Sequence, residues 1–223
     1  MKKVIFVLVL FFTFPIVTLA DSYSSLWKRY EQLQKKNQPR SALNVLKEII
    51  TKAREGKSYG NLIKSELEQL ATLQDLSSDS LQPQLERLRI IAEKTKKSEP
   101  VVYAIYNNVL GRLYQSHFIN NADSMVVCKR FFERSMQDPA LLAAVKVDKY
   151  TPLMVTGIDS RIFNDDLLHV LGIVAGDYRT LYQWYSSHNN RSVACYCAFK
   201  LLEEQHKSSR NEMKHSKYLQ RLD

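Results

Sequence analysis

The sequence predicts an all-α protein of stacked antiparallel helical hairpins, an α-solenoid of the tetratricopeptide-like type. Only six Gly and six Pro occur in 223 residues, too few for the frequent turns of a β-sandwich or barrel. Apolar residues recur with the 3.6-residue period of amphipathic helices. The predicted helix starts lie near residues 24, 39, 61, 81 and 100. Their spacing of about 20 residues, or about 40 per helical pair, is typical of helical repeats.

The first element, residues 1–20, has the layout of a secretory signal peptide. Two lysines form a positive start, residues 4–12 are an uninterrupted apolar run, and small residues precede a cleavage point after Ala20. A transmembrane anchor is the alternative, but the run is shorter than the ~20 residues that span a bilayer. We therefore expect a mature chain that begins at Asp21. We expect it in the periplasm or cell envelope, with no membrane span after cleavage.

Residues 21–120 are predicted to form a helical-repeat region. Pro39 suits a first helical turn, and the apolar residues after it lie on one helical stripe. A shorter apolar stripe precedes Pro39, so the two segments predict a hairpin that turns at residues 37–39. Gly56 and Gly60 are interpreted as stop signals after the second helix. The stripe after Pro39 consists of Ala42, Val45, Leu46, Ile49, Ile50 and Ala53.

Residues 121–223 are predicted to form a second helical region that continues beyond the chain end. A connector at residues 117–121 precedes it. Periodicity fades over residues 148–164, which predicts an ordered loop or a short extended piece, and Asn164 is interpreted as a helix cap. The predicted helices of this region cover residues 125–136, 167–175, 178–185 and 193–202, the last as a nearly all-apolar central helix, and a further helix begins at residue 212.

The three cysteines, Cys128, Cys195 and Cys197, are an odd number. In an oxidising compartment at least one thiol must therefore stay unpaired or bond to another chain. Cys195 and Cys197 point about 200° apart around a helix, which disfavours a bond between them. No Cys or His spacing matches a metal site. We expect the cysteines to be small buried residues, and their pairing stays open.

The sequence contains none of the common catalytic motifs. A phosphate-binding glycine loop, a dinucleotide-binding glycine pattern, H-E-x-x-H and G-x-S-x-G are all absent. Capping, ion pairing and the helix dipole explain residues 159–161 and the pair Asp165–Asp166. A structural role explains His169. We therefore expect a protein that is not an enzyme, without cofactor and without catalytic or metal-binding residues.

The formal net charge is +9, but this charge does not predict a nucleic-acid interface. The basic residues are spread along the chain, with short clusters only at residues 35–36, 94–97 and 207–217. A protein that binds nucleic acid concentrates its basic residues on one face. The 12 tyrosines suit the packing of helix pairs, or a groove that binds a protein partner. No individual binding residue can be assigned from this pattern.

Two parts of the sequence resemble a known family. The stretches SLWK (25–28), PRSALNVL (39–46) and IITKA (49–53) resemble the mature start of large bacterial alpha-2-macroglobulin-like proteins of the Bacteroidetes type. The stretch DSRIFNDDLLHVLG (159–172) resembles a later part of the same N-terminal helical region. The resemblance therefore runs from about residue 22 to the chain end. It implies a helical scaffold that precedes the β-sandwich domains of a secreted protease trap.

Members of that family present a bait segment to a protease, and many capture it through a Cys–Gln thioester with the pattern C-x-E-Q. The nearest string here, LEEQ (202–205), has Leu where Cys is required. The first hypothesis is therefore a non-catalytic scaffold segment of an endopeptidase inhibitor, lacking the bait region and the thioester. Its partner would be the rest of a larger polypeptide or a target protease. The alternative is a stand-alone tetratricopeptide-like adaptor of the cell envelope that binds a protein.

Overall fold

The computed structural model describes residues 19–117 and 122–219. The described residues are mostly helical and none lies in a strand, which confirms the all-α class. Most of the predicted signal peptide and of the predicted connector lie outside the described residues, as do residues 220–223. The α-helices of the described part are α1 (Leu19–Lys35), α2 (Pro39–Glu55), α3 (Tyr59–Leu76), α4 (Leu81–Thr95), α5 (Pro100–His117), α6 (Ala122–Ser135), α7 (Pro139–Ala143), α8 (Leu167–Ala175), α9 (Tyr178–Ser187) and α10 (Arg191–Leu219).

Four helix-to-helix turns share one backbone device. The chain leaves α1, α2, α8 and α9 through a residue in the left-handed region, with φ of 53° at Asn37, 50° at Lys57, 69° at Gly176 and 60° at Asn189. The next N–H then donates to a carbonyl five residues back, as in the Schellman motif. These bonds are Gln38 to Leu33 (3.0 Å), Ser58 to Ala53 (2.8 Å), Asp177 to Gly172 (2.9 Å) and Asn190 to Tyr185 (2.9 Å).

Most consecutive helices pack against each other, and their apolar faces form two clusters. The first lies among α1, α2 and the start of α3, and it buries all six residues of the stripe predicted after Pro39. The second cluster is larger and runs from Ile63 to Cys197. Tyr59 packs against both clusters. The solenoid arrangement and the division near residue 120 stay predictions.

The segment between α7 and α8 contains more structure than the predicted loop. It forms 3₁₀ turns over Val147–Tyr150 and Ile158–Phe163, and Tyr150 is buried beside the N-terminal end of α3. A Cβ atom at Gly60 would lie 2.5 Å from the backbone of Tyr150 and Thr151. Gly60 is therefore not the predicted stop signal: it is the second residue of α3 and permits this close approach of two backbones.

Three further predictions about the second region were wrong. Asn164 does not cap α8: it has a left-handed backbone, and Asp166 provides the N-cap. The apolar residues 193–202 do not form a central helix, because they belong to α10, which buries one side and exposes the other. The helix predicted to begin at residue 212 is the continuation of α10. None of the described helices is long and apolar enough to cross a membrane.

Candidate functional site

A buried carboxylate joins α2, α3, α4 and α5. The side chain of Glu66 is 1% exposed, and its Oε2 atom accepts a hydrogen bond of 2.6 Å from the hydroxyl of Tyr106. Its Oε1 atom lies 3.5 Å from an Arg54 nitrogen and 3.7 Å from an Arg87 nitrogen. Burial raises the pKa of Glu66, whereas Tyr106 and the two arginines lower it, and the net direction is upward. This carboxylate is fully partnered, which suits a structural role more than a catalytic one.

The raised pKa of Glu66 predicts a pH dependence of stability. Since the folded state binds this proton more tightly than the unfolded state, the stability it contributes is present below the ordinary pKa of 4.5 and is lost as the pH rises through the folded value. The side chain of a Glu66→Gln variant cannot titrate. We therefore expect the free energy of unfolding of the wild type to rise relative to that of Glu66→Gln as the pH falls from 7 toward 4.5. Urea titrations at several pH values measure this difference; a difference that stays constant with pH contradicts the prediction.

A second buried polar cluster contains the residues that the sequence singled out near α8. Asp166 is 2% exposed and accepts bonds from the backbone N–H of His169 (2.9 Å) and from the Tyr185 hydroxyl (2.7 Å). The Nδ1 atom of His169 lies 3.2 Å from the same carboxylate, and Phe163 stacks on the imidazole at 4.8 Å. His169 is thus a buried, partnered residue of the core.

Ser160, in the polar run 159–161, bonds to its own loop and to no histidine among the described contacts. The Ser160 hydroxyl donates to the Asp165 carboxylate at 2.5 Å, so it bonds an acid on its own loop instead of an imidazole. A nucleophilic serine needs a base that takes its proton during attack. Among the described residues, no group of three or more His, Cys, Asp or Glu side chains could hold a metal ion.

The cysteines differ in exposure. Cys128 and Cys197 are buried and Cys195 is exposed, and all three thiols are free of disulfides. The expectation of three buried residues was therefore wrong for Cys195. Burial raises the pKa of Cys197 to about 11 and also raises that of Cys128. Because the thiolate is the reactive form, the two buried cysteines act as small apolar residues.

A cleft of about 600 Å³ lies between α6 and the turn from α8 to α9. Its floor includes Cys128 and Phe132, and its rim carries both signs of charge. Lys129 and Glu133 on this rim lie 3.9 Å apart and pair with each other. The cleft has room for an apolar side chain, but its mixed rim favours no class of ligand.

The most distinctive surface lies on α10. Val193 and Cys197 are fully buried, and at 100° per residue the opposite side of the helix carries Cys195, Phe199 and Leu202. Phe199 is 56% exposed and Leu202 is 62% exposed. We name these three residues the α10 outer face. They stand at positions i, i+4 and i+7, which is the spacing by which one helix packs against another.

The sequence contains a pattern that corresponds to this surface but does not identify it. An apolar run can be buried on all sides or on two opposite stripes, and periodicity alone does not distinguish these cases. The positions 193 and 197 form one stripe of α10, and 195, 199 and 202 form another. Only the structure shows that α9 covers the first stripe and leaves the second exposed.

Comparisons with known proteins do not assign this chain to a family. No protein-family model matches the sequence, and neither a curated protein nor a solved structure shows significant similarity to it. The resemblance to alpha-2-macroglobulin-like proteins therefore stays a prediction.

Proposed function

We propose that this chain is a non-catalytic helical scaffold that binds a protein partner through the α10 outer face. The observation that carries this proposal is the exposure of Phe199 and Leu202 on a stripe opposite to the buried one. Large apolar side chains that share one exposed stripe are typical of a surface that another protein covers. The buried polar groups around Glu66 bond one another, and so do those around Asp166. Groups that are partnered within the chain support a structural role.

The proposed setting is the periplasm or cell envelope. In the alpha-2-macroglobulin-like case, the partner is the rest of a larger inhibitor polypeptide or its target protease. In the adaptor case, the partner is a separate envelope protein. The α10 outer face is a suitable contact surface for either kind of partner. An immunoblot of the native host's envelope fraction separates them: a band far above 25.9 kDa supports the first, and a band slightly below that mass supports the adaptor.

Photo-crosslinking tests the proposed binding surface. A photoreactive amino acid at position 199 is expected to form one discrete crosslinked adduct in the native host. In the adaptor case it joins a separate protein, and in the other case it lies within the larger polypeptide or joins its target protease. The matched control places it at Val155, an apolar side chain that is 80% exposed and far along the chain from α10. The additional change Leu202→Glu is expected to abolish the adduct, because it places a charge in the apolar contact. Equal adducts from positions 199 and 155 would refute a specific surface.

A further inference from the structure

We infer that the partner segment that covers the α10 outer face is an acidic amphipathic helix. This inference rests on the proposed function and specifies the chemistry of the partner. Two observations carry it. One is the spacing of the apolar side chains at the start of α10, and the other is the sign of the charges that follow them along the same helix.

The apolar part fits a helix. Cys195, Phe199 and Leu202 lie within eight consecutive residues, or about 10 Å of helix axis, and they occupy one stripe. A partner helix recognises such a stripe through its own apolar residues at i, i+3, i+4 and i+7. Lys200 and Glu203 beside the stripe bond each other at 2.8 Å. This carboxylate is therefore compensated within α10.

The charged part selects an acidic partner. The side chains of His206, Lys207 and Arg210 are exposed on α10 directly after the apolar residues. The sequence from 205 to 210 contains one Lys, one Arg and no acidic residue. Glu204 is turned toward α9, where it lines a cleft with Arg179. A helix that continues along α10 beyond Leu202 therefore meets positive charge, and carboxylates complement it.

Two other occupants fit this surface less well. A second copy of the chain would bring its own basic residues against these, and like charges in contact are unfavourable. A membrane surface favours a helix whose apolar stripe continues along its length. On α10 the apolar stripe ends at Leu202, because His206 occupies the same side of the helix one turn later. The apolar and basic residues therefore occupy successive parts of α10 instead of opposite faces.

The test uses the full chain and synthetic peptides in fluorescence anisotropy titrations. The probe is a helical peptide of three heptads with Leu at the core positions and Glu at the flanking positions. One control peptide replaces Glu with Lys, and another keeps the composition of the probe but scrambles the apolar spacing. We expect the acidic peptide to bind at least tenfold more tightly than either control, with affinity that falls as salt is added.

Variants of the chain locate the binding site. The double change Lys207→Glu with Arg210→Glu is expected to weaken binding of the acidic peptide about tenfold. Phe199→Ser with Leu202→Ser is expected to abolish it. The matched control reverses two exposed charges on α2, Arg40→Glu with Lys47→Glu, which lowers the net charge equally and is expected to leave affinity unchanged. Circular dichroism verifies that each variant is folded.

Three outcomes overturn the inference. The scrambled acidic peptide binds as tightly as the probe; vesicles of phosphatidylglycerol bind the chain while the probe does not; or the chain self-associates through α10 in sedimentation experiments. A crosslinked adduct from position 199 without any binding of the acidic probe shows that the proposed function holds and that the partner chemistry is wrong. Absence of both results refutes both proposals.

Discussion

Replacing Glu66 with alanine is expected to lower the free energy of unfolding by about 3 kcal/mol. The change removes the acceptor of the buried Tyr106 hydroxyl and the counter-charge of Arg87, whose side chain is only one-third exposed. Each buried polar group that loses its partner keeps its cost of desolvation, about 1–3 kcal/mol. Because Glu66 connects four helices, the loss is expected to affect all four of them. Urea unfolding monitored by circular dichroism measures the difference.

The chain offers a matched control for this experiment. Glu48 forms an ion pair with Arg29 at 3.1 Å, but both side chains are about half exposed. Surface pairs of this kind contribute about 0–1 kcal/mol, so Glu48→Ala is expected to cost little. Glu66→Gln keeps an acceptor for Tyr106 and is expected to lose less than Glu66→Ala. Equal stability of the alanine variants at positions 48 and 66 would show that burial of the Glu66 carboxylate does not determine its contribution to the free energy of unfolding.

Replacing Asp166 with alanine is expected to have the second largest effect, a loss of about 3 kcal/mol in the free energy of unfolding. Asp166 caps α8 through the N–H of His169, and the same carboxylate is the acceptor of the buried Tyr185 hydroxyl. Burial and this carboxylate both raise the pKa of Tyr185. The phenol therefore stays a donor and is left without an acceptor in the variant.

Asp177 is the control for the capping contribution alone. It caps α9 by accepting from the N–H of Thr180 at 3.1 Å. The change Asp177→Ala is expected to cost about 1 kcal/mol, as for other helix caps. The excess loss at Asp166 then measures the buried contacts with Tyr185 and His169. Similar losses at both positions, in urea unfolding under identical conditions, would show that these buried contacts add no stability.

The sequence predicted the helices well where local signals and apolar periodicity agree. Pro39 and Pro100 each begin a helix at the expected position, because proline suits the first helical turn. All six apolar residues that follow Pro39 on one stripe are buried. The boundaries of α8, Leu167 and Ala175, also agree with the prediction. In these segments the local backbone preference and the tertiary packing favour the same structure.

The sequence did not predict the features that depend on distant neighbours. Gly60 resembles a helix stop in the sequence. In the structure a glycine is needed there because the backbone of Tyr150, ninety positions away, leaves no room for a Cβ atom. Apolar content shows that Phe199 and Leu202 can be buried, and it does not show whether a neighbouring element covers them. Asp and Asn are equally good helix caps, so propensity did not distinguish Asp166, which directly precedes α8, from Asn164, whose backbone is left-handed. The α10 outer face could therefore be identified only from the structure.

Helix α3 belongs to both apolar clusters. Leu62 packs in the cluster with α2, and the next residue, Ile63, packs in the larger one. Opening either cluster removes packing contacts from α3, which also belongs to the other cluster. We therefore expect the protected amide hydrogens of both clusters to exchange with solvent in one cooperative unfolding event. In a linear array of repeats, such a shared helix supplies the nearest-neighbour coupling that makes separate modules unfold together.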